Sequence, residues 1–122
     1  MEQILVVEDD SSVSDLVKAV LEEKGFSVKT VPSAEMAKQF LASEKPSLAI
    51  VDIILPGQGG MELSLDLHGS YPDLKIIITS GKVDMNKSPV QALAHQFGVV
   101  SILPKPFTVE ELFTTVQEAL AV

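Results

Sequence analysis

Strand-length apolar runs alternate with helix-period segments from one end of this 122-residue chain to the other, and that alternation leaves few folds open. Residues 3–7, 28–31, 48–51, 74–79 and 99–103 are rich in β-branched and aliphatic side chains and too short for helices. Lys29 and Thr30 suit an edge strand, whereas 48–51 is apolar without a break, as in a strand buried on both faces. Between the runs the period changes. After Ser11, residues Val13, Leu16, Val17, Val20 and Leu21 fall on one helical face, and Gly25 closes that helix. Pro32-Ser33 opens a second helix with Met36, Ala37, Phe40 and Leu41 inward, ending before Pro46, and a third from about Met61 turns Leu63 and Leu67 inward. Ser88-Pro89-Val90-Gln91 has the capping-box pattern of a short helix ending at Gly98. Thr108-Val109-Glu110-Glu111 repeats that pattern before a last helix with Leu112, Phe113, Val116 and Leu120 inward. Strand then helix, five times over, joined by right-handed crossovers, predicts a doubly wound α/β fold. It has a five-stranded parallel sheet with helices on both faces, as one domain over residues 1–122.

Composition narrows the function. Cysteine is absent, which excludes a thiolate metal site, a disulfide framework and a Cys nucleophile, and is compatible with a reducing cytoplasm. Nine basic against seventeen acidic residues leave a net charge of −8 with no basic stripe, so nucleic-acid binding by this domain is not expected. The longest apolar runs are strand-sized and no charged-then-apolar leader precedes them, so neither a membrane span nor a signal peptide is expected.

Four of the runs lead into polar residues suited to phosphoryl chemistry. The first meets Glu8-Asp9-Asp10, the third Asp52, the fourth ends on Thr79, and the fifth leads through Pro104 to Lys105. In an open parallel sheet those ends share one edge, where such folds bind ligands. Acids after a strand also suit the N-terminus of the next helix, and Asp10 fits that duller role. Three consecutive acids beside a buried strand repel one another, and a hard cation such as Mg²⁺, which takes carboxylate oxygens, relieves the repulsion. Asp52 precedes Ile53-Ile54-Leu55-Pro56, which is no helix start, so capping does not explain it. A carboxylate there can act as a nucleophile toward a phosphoryl group. Thr79 alone is unremarkable. Lys105 lies between Pro104 and Pro106, a backbone constraint that an ordinary surface lysine does not need. His68 and His95 lack a partner at metal-ligand spacing and are expected at the surface. Met36, Met61 and Met85 are expected to fill core or loop.

With these residues in place the chain resembles the receiver domains of two-component response regulators over essentially its whole length. Ile4 to Asp10 resembles the family's first strand and acidic pair, Asp52 to Pro56 with Gly60 its phospho-acceptor motif, Ile78-Thr79-Ser80 its fourth-strand threonine motif, and Leu103 to Phe107 its Lys-Pro-Phe motif. The resemblance implies a flavodoxin-like strand order 2-1-3-4-5. It implies that Asp52 accepts a phosphoryl group from a sensor histidine kinase or a histidine phosphotransfer protein. Asp9 would bind Mg²⁺ directly, Glu8 through water, and the Ile54 carbonyl would supply a further ligand. Thr79 would bond a phosphoryl oxygen, and Lys105 would pair with Asp52 or its phosphate. A cis Lys105–Pro106 bond, a cytoplasmic location, and a downstream protein or a second copy as output partner also follow from it. The domain would be a switch that assists its own phosphorylation, not a metabolic enzyme.

Three features depart from the family pattern. Ile102 stands where an aromatic is common, so switching does not run through a ring at that position. The stretch 81–87 makes the loop after Thr79 long. Ile54 and Gly81, two residues past Asp52 and Thr79, offer no polar side chain to hold a hydrolytic water. Two alternatives stand beside the receiver reading. A haloacid-dehalogenase-type phosphatase needs a second Asp two residues after the nucleophile, where this chain has Ile54, and usually an inserted cap for which 122 residues leave little room. A degenerate receiver, binding a partner without phosphorylation, usually loses the acceptor or the acidic pair, and both are kept here. Flavin binding is disfavoured because no hydroxyl-rich phosphate loop follows the first strand.

Overall fold

The run Leu48–Asp52 is buried at every position and forms the central strand, β3, of a five-stranded parallel sheet. The structure, a computed structural model, describes residues 2–81 and 98–121. In chain order its elements are β1 (Gln3–Val7), α1 (Ser11–Glu23), β2 (Ser27–Val31), α2 (Ala34–Leu41), β3, α3 (Gly60–Ser70), β4 (Lys75–Ser80), β5 (Val99–Pro104) and α4 (Val109–Ala121). The strand order is β2-β1-β3-β4-β5, the doubly wound order expected, with β2 at an edge. The proposed capping box at Ser88, the helix it would open, His95, Met85 and most of the 81–87 stretch lie outside the described residues.

Alternation along the strands divides the core into two layers. Leu5, Val7, Ala49, Val51, Ile76 and Ile78 meet Ala37 and Leu41 of α2 and Leu63 and Leu67 of α3. Ile4, Val6, Leu48, Ile50 and Ile77 meet Val17, Val20 and Leu21 of α1 and Leu112 and Val116 of α4. Burial on both sides explains why the central strands are uninterrupted apolar runs.

Helix starts follow local chemistry. Asp10 Oδ1 accepts the Ser12 N–H at 3.0 Å and caps α1, and Ser33 Oγ accepts the Met36 N–H at 3.3 Å to start α2. Thr108 Oγ1 accepts the Glu111 N–H at 3.0 Å while the Thr108 N–H donates to Glu111 Oε1 at 2.9 Å, the reciprocal pair expected before the last helix. Gly25 closes α1 in the left-handed region at φ +98°.

Several inward expectations shift. Leu16 and Met36 are exposed, at 51% and 46%, and Ser14 and Ala34 take inward places beside Ala37, which is buried as expected. Small residues there let each helix sit close to the sheet, leaving the long side chains on the rim of the apolar stripe. Phe40 and Leu120 are half-buried at the margins of the core, and Phe113 is half-buried with Lys24 Nζ 4.9 Å from its ring centroid. His68 is half-buried, and its ring lies over Gly98, where a side chain would collide with it. Met61 packs on the core as expected of a filler.

Candidate functional site

Strand register brings the polar ends together. Val7 pairs with Val51, so Glu8 and Asp52 follow as neighbours, and Asp52 pairs directly with Thr79. Beyond a register shift between Ile76 and Ile77, Thr79 pairs with Leu103 and Ser80 with Pro104, which places Lys105 one step past the end of β5. Val6, Ile50, Ile77 and Leu103 all face the α1/α4 layer. Two residues on from each, Glu8, Asp52, Thr79 and Lys105 continue on that side at the C-terminal edge of the sheet. Backbone bonds fix the edge: the Glu8 N–H donates to the Val31 carbonyl at 3.0 Å, the Ile53 N–H to the Thr79 carbonyl at 2.9 Å, and the Lys105 N–H to the Ser80 carbonyl at 2.8 Å. The Lys105–Pro106 bond is cis, as expected.

Glu8, Asp52 and Thr79 are buried and Asp9 is exposed. Asp52 Oδ1 accepts the Ile54 N–H at 3.1 Å, and its Oδ2 accepts from Lys105 Nζ at 3.0 Å. Lys105 Nζ also donates to Glu8 Oε1 at 2.7 Å. One carboxylate oxygen each from Glu8, Asp9 and Asp52 lies within 4.8 Å of the others. Burial pushes the Glu8 carboxyl up to about 7, the neighbouring Asp52 adds to the rise, and Lys105 and the Asp10 N–H only partly oppose it. Burial alone would lower the Lys105 ammonium, but its bonds to Glu8 and Asp52 outweigh that and hold it above its ordinary value. The donor set suits a hard divalent cation: all oxygen, several negative charges, one face open through Asp9. Three carboxylates crowded at a sheet edge carry more negative charge than one lysine neutralises, which is the condition under which a cation is held.

The structure thus brings together all the polar side chains singled out from the sequence, namely Glu8, Asp9, Asp52, Thr79 and Lys105. Ile54 lies on the rim, 58% exposed. Ile102, paired with Ile78, packs half-buried on the α2/α3 layer, across the sheet from the polar cluster. Two residues that the sequence placed in motifs, Gly60 and Ser80, have surroundings that the sequence did not reveal. Gly60 starts α3 so close to β3 that a Cβ there would collide with the Asp52 carbonyl and with Ile53. Its place eight residues after Asp52 was the available signal. Ser80 is buried, and among the described residues its Oγ is the only buried side-chain polar atom without a hydrogen-bond partner. Its place beside Thr79 in the fourth-strand motif gave no sign of that.

A family model described as the response regulator receiver domain matches residues 4–117. The chain belongs to that family. Among related receivers, the response regulator MprA of Mycobacterium tuberculosis is 29% identical over 97% of this chain and 50% of its own length. The DNA-binding transcriptional regulator NtrC of Azospirillum brasilense is 31% identical over 96% of this chain and 24% of its own. The receiver therefore spans about half, or about a quarter, of the curated relatives it matches. Among solved structures, a CheY-like receiver domain protein from Methanospirillum hungatei superposes with a TM-score of 0.91 at 27% identity, covering 99% of this chain and 94% of that one. The receiver domain of NtrX from Brucella abortus gives 0.86 at 27% identity, with 98% of each chain covered. Phosphorylatable receivers are signalling switches, and the alternatives of a phosphatase or a degenerate module are not favoured. Among the described residues no helix is long and apolar enough to cross a membrane.

Proposed function

We propose that residues 1–122 form a receiver in which Asp52 accepts a phosphoryl group from a phosphohistidine on a sensor kinase or phosphotransfer protein. The observation that carries this is the meeting of the buried Asp52 with Lys105 at 3.0 Å, inside a carboxylate cluster of cation-binding composition. Asp9 and Asp52 would hold Mg²⁺ with the Ile54 carbonyl, and Glu8, whose oxygens are engaged by Lys105 and the Asp10 N–H, would act on it through water. The ion supplies charge neutralisation between the incoming phosphoryl oxygens and the carboxylates.

The protein's own part is positioning. The Ile54 N–H holds Asp52 Oδ1, and Lys105 steadies Oδ2. Thr79, paired with Asp52 across the register, supplies a hydroxyl donor for a phosphoryl oxygen. The bond that forms joins an Asp52 oxygen to phosphorus; the phosphorus–donor bond breaks and its electron pair leaves with the donor. The domain assists this single transfer to itself and turns over no external substrate. A downstream protein or a second copy would read the phosphorylated form. The acidic balance of −8 speaks against nucleic acid as a direct partner of this domain, and the composition suits the cytoplasm.

An NMR titration tests the reading. Mg²⁺ should shift residues at Asp9 and Asp52, and beryllium trifluoride, a phosphoryl mimic, should then shift Thr79 and Lys105. Binding of the mimic in EDTA, or binding that leaves Thr79 and Lys105 unmoved, would contradict it.

A further inference from the structure

Three consecutive acids follow β1, and each is placed differently. Asp10 caps α1 through Ser12. Asp9 is exposed at the open face of the cluster. Glu8 is turned inward with both oxygens taken: Oε1 accepts from Lys105 Nζ at 2.7 Å and Oε2 from the Asp10 N–H at 3.2 Å. Lys105 therefore has two carboxylate partners, and the shorter bond goes to Glu8. The Glu8 side chain is 4% exposed against 10% for Asp52, so its bond to Lys105 is the better shielded of the two. The pair spans β1 to the loop after β5, three strand spacings or about 14 Å, a gap that two long side chains can bridge.

The two partners differ in what the reaction does to them. On phosphorylation one Asp52 oxygen becomes the bridge to phosphorus and the other a neutral carbonyl, so Asp52 loses the charge that holds the ammonium. Glu8 is unchanged by the transfer. We propose that Glu8 is a positioning residue that anchors Lys105 beside the acceptor before and after phosphoryl transfer, acting through Lys105 more than through the metal. Lys105 gives up no proton in this step; its ammonium is held where charge gathers on the phosphoryl oxygens. The proposal rests on Asp52 being the acceptor.

Two measurements test it. In metal-free protein labelled with ¹⁵N-lysine, the Lys105 ammonium should give an exchange-protected signal in the wild type and in Asp52→Asn, and should lose it in Glu8→Gln. Circular dichroism checks that each variant is folded. Single-turnover phosphorylation by acetyl phosphate at saturating Mg²⁺ is then compared for Glu8→Gln, Lys105→Met and the double variant. Glu8→Gln should slow the wild-type background by about ten- to a hundredfold, the scale of a misplaced catalytic group. It should add little once Lys105 is Met. Equal slowing in both backgrounds, a Lys105 signal that survives Glu8→Gln, or no protected signal in the wild type overturns the proposal. A wild type that takes no phosphate on Asp52 defeats the functional reading instead, and the metal-free Lys105 signal still decides whether Glu8 is the anchor.

Discussion

Asp52 and Thr79 are register partners in the parallel pairing of β3 with β4, and the Thr79 carbonyl accepts the Ile53 N–H at 2.9 Å. The carboxylate proposed as acceptor and the hydroxyl proposed to bond its phosphoryl group are thus set by one rung of a buried ladder, with Lys105 entering from the loop after β5. Because the rung is backbone, disturbance of β3 near Asp52 should reach the site more strongly than changes to side chains on its rim.

Gly60→Ala probes how closely α3 is held against β3 beside Asp52. An added Cβ would run into the Asp52 carbonyl and Ile53, atoms of backbone that cannot swing aside. The variant should lose about 1–3 kcal/mol of stability, the usual cost of forcing atoms into a packed region. Gly59→Ala, whose Cβ would meet only the Ile53 carbonyl at 3.7 Å, should lose much less. Urea unfolding of both decides it; equal stabilities would show that α3 can move away from β3.

The fold was legible because the period of the apolar pattern switches cleanly between strand and helix. The unbroken apolar run from Leu48 to Val51 places Asp52 at the end of a buried strand, as β3 has it. Periodicity gives the direction of a helix face and not its width, which is why Leu16 and Met36 were expected inside and stand outside. The Glu8–Lys105 pair joins residues 97 apart in sequence, so no local pattern reveals it. Strand order was available only through the family resemblance, since parallel strands with helical crossovers permit several orders.

The metal-free protein should lose stability as pH rises. Glu8 titrates at about 7 when folded against an ordinary 4.5, so the folded state binds more protons than the unfolded chain between those values. Stability therefore falls across that window and levels off above it. Asp10, held low by the Ser12 hydroxyl and N–H, and Asp66, held low by Lys38 and Gln58, act with the opposite sign below 3.8, outside the window. Denaturation in EDTA from pH 4.5 to 8 should show the fall for the wild type and a flatter profile for Glu8→Gln; matching profiles would remove Glu8 as its source.

Ser80→Ala should be neutral or stabilising. The Ser80 hydroxyl is buried without a partner among the described residues, and leaving a buried polar group unpaired costs about 1–3 kcal/mol. A rise of about 1 kcal/mol in unfolding free energy is expected, and a clear loss would mean that the hydroxyl has a partner in solution.

The phosphorylated form should decay slowly. Hydrolysis needs a water in line with the phosphorus, opposite the leaving carboxylate. Ile54 stands apolar at the rim, and Gly81, beside the Lys105 side chain, has nothing with which to hold that water. Ile54→Asn should speed decay about tenfold, or about 1.4 kcal/mol of barrier. Following loss of phosphate in Mg²⁺ tests this; an unchanged half-life would dismiss the rim as the cause.

Intact-mass spectrometry after incubation with acetyl phosphate and Mg²⁺ tests the assignment of Asp52 most directly. The wild type should gain a single phosphoryl group that peptide mapping places on Asp52, no gain should occur in EDTA, and Asp52→Asn should remain unmodified. Undiminished labelling of Asp52→Asn, or labelling of the wild type at another residue, would contradict the account.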